Sequence, residues 1–352
     1  MKKSVLNLIL VGIILSFLCV LIINPVLCKK GTINGILLCG RVIIPSLFPF
    51  TMCVIFILNS NVFNKFEKLS PFIKFLTGLP FFHFTVLLFS MIGGYPVGAN
   101  LLNNAVENGT IKQKTAEKML LFCVNAGPAF IVSAVGSGML NSQGAGIILL
   151  SSHIVSSIIL LLFSRFTTRF DDEISYSFEH EIHPADNFVN SAATASKSVL
   201  NICSFVLLFS AINEYLNFYC SQNPILRFIG SLLEVTNGVM LTKNVYLISF
   251  LLGFGGVSVW CQVLFSAKNI KINLPKFALA RIIHGILSVG ITFILFKLLP
   301  QSLPTLSNNN FLGFGNFYST AAIGASMLIM VTVLIISISS KKYVDKPFKD
   351  MI

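Results

Sequence analysis

Phe84-Thr-Val-Leu-Leu-Phe-Ser-Met-Ile-Gly93-Gly94-Tyr95-Pro96-Val-Gly98-Ala-Asn100 is an apolar stretch interrupted near its centre by glycine and proline. A second such stretch stands in the other half of the chain: Pro224-Ile-Leu-Arg227-Phe-Ile-Gly230-Ser231-Leu-Leu-Glu234-Val-Thr236-Asn237-Gly238-Val-Met240. A plain membrane anchor has no use for such interruptions, because a freed backbone N–H or C=O in lipid costs several kcal/mol. They are tolerated where protein or a watery cavity covers them. Broken apolar segments at matching places in two halves point to the binding site of a transporter.

Composition fixes the class. Of 352 residues 55% are hydrophobic and only 11% charged, and the mean hydropathy is +0.83. Several apolar runs reach the roughly 20 residues needed to cross about 30 Å of hydrocarbon. The fold class expected is all-α, a polytopic membrane protein. The net charge of +12 lies in short Lys/Arg clusters between apolar runs, the pattern of orientation signals at lipid headgroups, so nucleic acid is not an expected partner. The eight cysteines form no Cys-x-x-Cys and have no histidine at ligand spacing, so they read as small core hydrophobes rather than redox or metal groups. The run after Lys2-Lys3 is too long for a signal-peptide core and lacks a small-residue cleavage site, so it reads as a retained span.

Eight spans are expected, at about 4–27, 36–59, 118–140, 145–166, 190–213, 245–267, 276–299 and 316–340. Residues 81–105 and 223–243 are each broken near the middle and are placed as re-entrant hairpins. Lys65, Lys68, Lys74, Lys112, Lys114, Lys118, Arg165, Arg169, Lys268, Lys271, Lys276 and the basic tail then fall on the cytoplasmic side, with Lys29, Lys30 and Lys243 as exceptions. Both termini are thus expected inside. With this topology residues 36–170 and 190–300 each run span, hairpin, span, span, in opposite orientation: an inverted repeat. Residues 1–35 form an N-terminal helix, the acidic stretch 171–189 a cytoplasmic linker, and 301–352 a last helix and basic tail. A metal site at His180 and His183 in the linker has no spacing to support it.

The candidate binding residues lie at the breaks. Gly93, Gly94, Tyr95, Pro96 and Gly98 make a tight turn from which a helix restarts with its positive dipole end free for an anion; the plainer reading is a hairpin bend with Tyr95 packed on a neighbour. Asn125, Gly127 and Pro128 break the next span, Pro128 costing the helix its bond to Val124. Gly136 and Gly138 read as close-packing positions. Glu234 is the one acidic residue placed deep in the membrane region, followed by Thr236 and Asn237. Arg227, seven positions before it, is the expected ion-pair partner; proton coupling and substrate contact are the alternatives. Gly255 and Gly256 break the second matching span, with Ser258 and Gln262 one turn apart beyond them. Arg281 is read as snorkelling to the inner headgroups, with His284 one turn on, and His153 as a satisfied core histidine.

An enzyme is not expected: no span holds an aspartate, and no metal box, serine-protease order or P-loop occurs. No cofactor or metal is expected either.

Gly93–Gly98, Asn125–Ala129 with Gly136-Ser-Gly138, Gly253–Gly256 with Gln262, Arg281-Ile-Ile-His284-Gly285, and the early Pro45-Ser-Leu-Phe-Pro49-Phe50 together resemble the YlbJ family of sporulation integral membrane proteins. The similarity runs over roughly residues 35–300 in matching order. The resemblance implies a nucleoside-recognition "Gate" domain, a plan similar to that of concentrative nucleoside transporters, and the transfer of dipicolinic acid from the mother cell across the outer forespore membrane. The expected partners are therefore a small organic anion, membrane lipid and a coupling ion, H+ or Na+, with a homo-oligomer left open. A nucleoside carrier and a non-transporting factor in spore maturation are the competing readings.

Overall fold

Two long helices turn hydrophobic side chains outward and bury polar ones. On the helix Gln143–Thr167, Ile147, Val155, Ile158, Leu162 and Phe163 are exposed, whereas Ser152, His153, Ser156 and Ser157 are buried. The helix Leu274–Leu298 repeats the pattern, exposing Leu279, Ile282, Ile286, Phe293 and Ile294 and burying Arg281, His284, Ser288 and Thr292. In water this arrangement is unfavourable; in hydrocarbon it is the stable one.

A computed structural model describes residues 2–60, 62–167, 170, 183–220 and 223–299. Among them there is no strand. In chain order the helices are α1 (Lys2–Ile23), α2 (Pro25–Leu38), α3 (Ile44–Asn59), α4 (Ser70–Thr77), α5 (Phe81–Gly93), α6 (Tyr95–Glu107), α7 (Gln113–Met119), α8 (Gln143–Thr167), α9 (Pro184–Cys220), α10 (Pro224–Leu233), α11 (Val235–Met240), α12 (Val245–Phe254), α13 (Gly256–Ser266) and α14 (Leu274–Leu298). A 3-10 helix, Val62–Leu69, precedes α4, and a π-helix, Ala129–Met139, lies before α8.

Five stretches are long and apolar enough to cross a membrane: Pro25–Asn59, Gln143–Phe166, Pro184–Tyr219, Val245–Ser266 and Leu274–Leu298. A sixth arises if Lys65–Thr77 and Phe81–Gly93, bent by 79°, count together. The protein is a multi-pass membrane protein. The expected span at 118–140 is not one continuous helix. It divides into α7, a non-helical stretch at 120–127 and the π-helix that follows Pro128. Pro128 has no N–H for Val124 O to accept from, and Gly127 beside it costs a helix backbone entropy. The expected span at 36–59 starts earlier, since α2 passes into α3 through a π-turn, Cys39–Ile43, ahead of Pro45 and Pro49. There Ser46 Oγ donates to Val42 O at 2.6 Å. The first expected span, 4–27, is crossed by the helix break at Asn24, where α1 gives way to α2. Helix α9 begins at Pro184, inside the expected linker. Residues 171–182 of that linker, the span expected at 316–340 and the basic tail lie outside the described residues.

The two longest stretches pack on each other. A Cβ added to Gly31 would lie 2.8 Å from Ala211 Cα and from Ser210 O, and one on Gly35 would lie 3.1 Å from Leu207 Cα, so α2 and α9 touch backbone to backbone. Lys30 Nζ meets Glu214 beside this seam at 2.6 Å. Gly31→Val is expected to lower the thermal unfolding midpoint in detergent, at an overpacking cost of about 1–3 kcal/mol. Gly290→Val, on α14 where nothing lies within 4 Å, is expected to leave the midpoint nearly unchanged. Equal midpoints would mean that the α2–α9 seam is not close-packed.

The main core gathers Leu102, Met119, Phe122, Val124, Ile131, Ile248, Leu251, Val259 and Val263. It therefore lies among the broken helices of both halves of the chain and not under the long α2–α3 and α9 stretches.

Candidate functional site

Four interruptions in the helices meet in this core. The first is Gly94, between α5 and α6, at φ 90° and ψ 178°. That backbone region is essentially closed to other residues, at a cost of about 1–3 kcal/mol. Gly93 ends α5, Tyr95 and Pro96 begin α6, and Gly98 follows one turn in. The second is the stretch 120–127, which holds Asn125 and Gly127 and ends at Pro128. These two interruptions touch: a Cβ on Gly127 would stand 2.9 Å from Ile92 O and 3.1 Å from Gly94 N.

The third is Gly255, with φ 81°, between α12 and α13. Tyr95 reaches it from the first half, its hydroxyl donating to Leu252 O at 2.7 Å, and its ring lies 3.6 Å from where a Gly255 Cβ would be. The fourth is Glu234, an extended residue between α10 and α11. A Cβ on Gly256 would lie 3.2 Å from Val235 N and 3.3 Å from Leu232 O. In each half, then, a glycine of one break lies against the backbone of another.

The unwound stretch is held by side chains rather than by a helix. Pro128 leaves Val124 O without its helical donor, and Arg281 Nη1 donates to that oxygen. Arg281 Nη2 donates to Leu121 O. Phe122 O accepts from Asn125 Nδ2 at 2.8 Å and from Ser157 Oγ at 2.7 Å. Asn125 Nδ2 also lies 3.1 Å from Ser90 Oγ on α5, which ties this stretch to the helix before the Gly94 break. Ala126 N–H donates to His153 Nε2 at 3.0 Å.

Arg281 therefore does not snorkel. It is completely buried, drawn inward because the freed carbonyls of the break offer a planar five-donor fork what headgroup water would otherwise supply. No carboxylate stands within salt-bridge distance of it among the described residues. His153 is satisfied at Nε2 alone.

Glu234 is buried, and it does not pair with Arg227, which is exposed. Its carboxylate caps α11 instead, accepting from Thr236 N at 3.0 Å and from Asn237 N at 2.6 Å. Thr236 is buried beside it, and Asn237 Nδ2 donates to Ser210 Oγ of α9 at 2.9 Å. Ser258 and Gln262 are both buried on α13, with Gln262 Nε2 3.4 Å from Ser258 Oγ. They lie beyond the Gly255 break rather than at a contact between breaks. Of the four helix starts at the breaks, only α11 has a side-chain cap; those after Gly94, Pro128 and Gly255 have none. Such starts present backbone N–H groups and a positive dipole end.

No protein-family model matches the chain, and no solved structure does. Over 345 residues the chain is 24% identical to the sporulation integral membrane protein YlbJ of Bacillus subtilis (strain 168), with 84% of this chain and 85% of that protein covered. The resemblance to the YlbJ family read from the broken segments is borne out over most of the chain.

Proposed function

We propose that this YlbJ-like membrane protein is a secondary transporter of a small organic anion, dipicolinate, which it moves across the outer forespore membrane during sporulation. The meeting of four helix breaks in one buried core is the observation that supports this most. Irregular backbone at membrane depth persists where it lines a site or is covered by protein. Here three uncapped helix starts and the buried cation Arg281 gather at the same place. A compact planar dianion suits that chemistry, since its carboxylates take N–H donors and a positive field. The elements bearing Gly94 and Glu234, read as two re-entrant hairpins of an inverted repeat, would rock against the long α2–α3 and α9 stretches to alternate access. The chain's part is binding and movement, with no bond made or broken in the substrate.

The nucleoside reading, which gave Glu234 to a ribose hydroxyl or an ion, is weakened because both carboxylate oxygens are engaged by their own helix. Uptake of labelled dipicolinate into liposomes holding the purified protein tests the proposal, with uridine and the uncharged dimethyl ester of dipicolinate as competitors. Saturable uptake that neither competitor reduces is expected. Inhibition by uridine would transfer the reading to nucleosides, and absence of uptake by folded protein would favour a maturation factor that carries nothing.

A further inference from the structure

The polar face of α14 continues past Arg281 in a way the breaks do not use. We propose that His284 holds a proton that travels with the anion, reached along the hydroxyls of Ser288 and Thr292; this deepens the carrier reading and rests on it. His284 is fully buried near the middle of α14, and His153 lies at the corresponding point of α8, each helix being 25 residues long. Their rings lie 4.3 Å apart, tilted by 31°.

Backbone partners assign both tautomers. His284 Nε2 is 3.1 Å from the His153 carbonyl oxygen, which can only accept, so Nε2 carries the hydrogen and Nδ1 is the basic nitrogen. His153 Nε2 accepts from Ala126 N–H, so the hydrogen of His153 is on Nδ1. Both Nδ1 atoms are buried and have no hydrogen-bond partner. A buried polar atom left unpaired is costly and calls for an explanation. A proton can add to His284 Nδ1 without breaking any bond now made.

The hydroxyls that would carry the proton toward it lie on the same polar face of α14. One turn beyond His284, Ser288 Oγ donates to Ser156 Oγ at 3.1 Å. One turn further, Thr292 Oγ1 and Ser249 Oγ are 2.7 Å apart. All four hydroxyls are buried, and a hydroxyl both donates and accepts. An ionisable side chain buried inside a membrane, as His284 is, marks an ion or proton pathway.

The surrounding charges explain why the proton would not travel alone. Arg281 lies one turn before His284 and has no acidic partner among the described residues. Against α8 and α14, the π-helix bears no titratable side chain and the unwound stretch contributes Cys123. Helix α12 contributes only Tyr246, which packs on Phe293 and Phe296. A protonated His284 beside Arg281 would therefore be two positive charges with no carboxylate within salt-bridge distance among the described residues, until the anion supplies one. Proton and anion then favour each other's binding, and by linkage the coupling is mutual.

Proteoliposomes of the full chain with a trapped pH-sensitive dye decide this. In wild type, dipicolinate entry should acidify the lumen, and a one-unit inward proton gradient should raise accumulation about tenfold for each proton coupled. His284→Gln, which retains an N–H donor but cannot take up a proton, should lose that response. It should keep the exchange of internal for external dipicolinate, which moves no net proton. Saturable wild-type uptake that is silent to the dye, or driven by a sodium gradient instead, would overturn the inference while the carrier reading stands. A His284→Gln protein that still follows the proton gradient would also overturn it. If that variant does not fold, His284→Asn is measured in its place, with loss of the dye response expected and its persistence overturning the inference. Absence of any saturable uptake would overturn both readings.

Discussion

Arg281→Met is expected to abolish uptake and to cost the protein about 2–4 kcal/mol of stability. The side chain is fully buried and donates to Leu121 O and Val124 O, and a hydrogen bond from a charged donor contributes roughly 1.5–3 kcal/mol. The total stays below the simple sum because an unfolded chain in a membrane finds other partners for its polar groups. Methionine fills the space but leaves two carbonyls without donors. Arg281→Lys should fall in between: it keeps the charge, but a single ammonium lacks the fork that spans two carbonyls three residues apart. The check is the thermal unfolding midpoint in detergent alongside uptake. A methionine variant with the wild-type midpoint would mean that the unwound stretch does not depend on Arg281.

Gly98→Ala is expected to be comparably damaging for a steric reason. The added Cβ would lie 2.1 Å from Cys123 O and 2.7 Å from Ser90 Cβ. The nearer neighbour is backbone and cannot rotate away, so α6 must move off the unwound stretch. Overpacking usually costs about 1–3 kcal/mol, and more where backbone must shift. Because α6 carries the Gly94 break, such a shift separates that break from Gly127. Reduced uptake together with a lowered midpoint is the expected outcome. Gly138→Ala is the comparison, since its Cβ would meet only Ser133 O at 3.4 Å. If both variants behave alike, α6 and the unwound stretch are not in contact.

The places where the helices stop could be read from the sequence, because glycine and proline act locally. Gly94, Pro128 and Gly255 each interrupt a helix where the residue types say they should. What could not be read was which groups would answer the freed backbone. The Arg227–Glu234 pair assumed one unbroken helix through both residues, yet Glu234 is itself the break, and the carboxylate turns to the N–H groups just after it. Arg281 has backbone carbonyls about 157 and 160 residues away in sequence as its partners. A carbonyl has no side-chain signature, so no residue pattern announces such a bond. The rule that ionisable groups inside a membrane face the bundle interior describes the buried Arg281 better than snorkelling did. Span lengths were obscured for a related reason: one π-turn, Cys39–Ile43, leads into Pro45 at the start of α3, and Pro49 lies inside α3, without ending the helical path Pro25–Asn59.

Asn125→Leu and Glu234→Gln, measured beside wild type for dipicolinate uptake into proteoliposomes, test most directly whether the meeting point of the breaks is the place of transport. Asn125 ties the unwound stretch to Ser90, and Glu234 caps α11 where it faces the Gly256 break. Saturable wild-type uptake, lost in Asn125→Leu and reduced in Glu234→Gln while both proteins keep their helical content and elution volume, is the expected result. Wild-type uptake left unchanged by both substitutions would contradict it and put the path through the membrane elsewhere in the molecule.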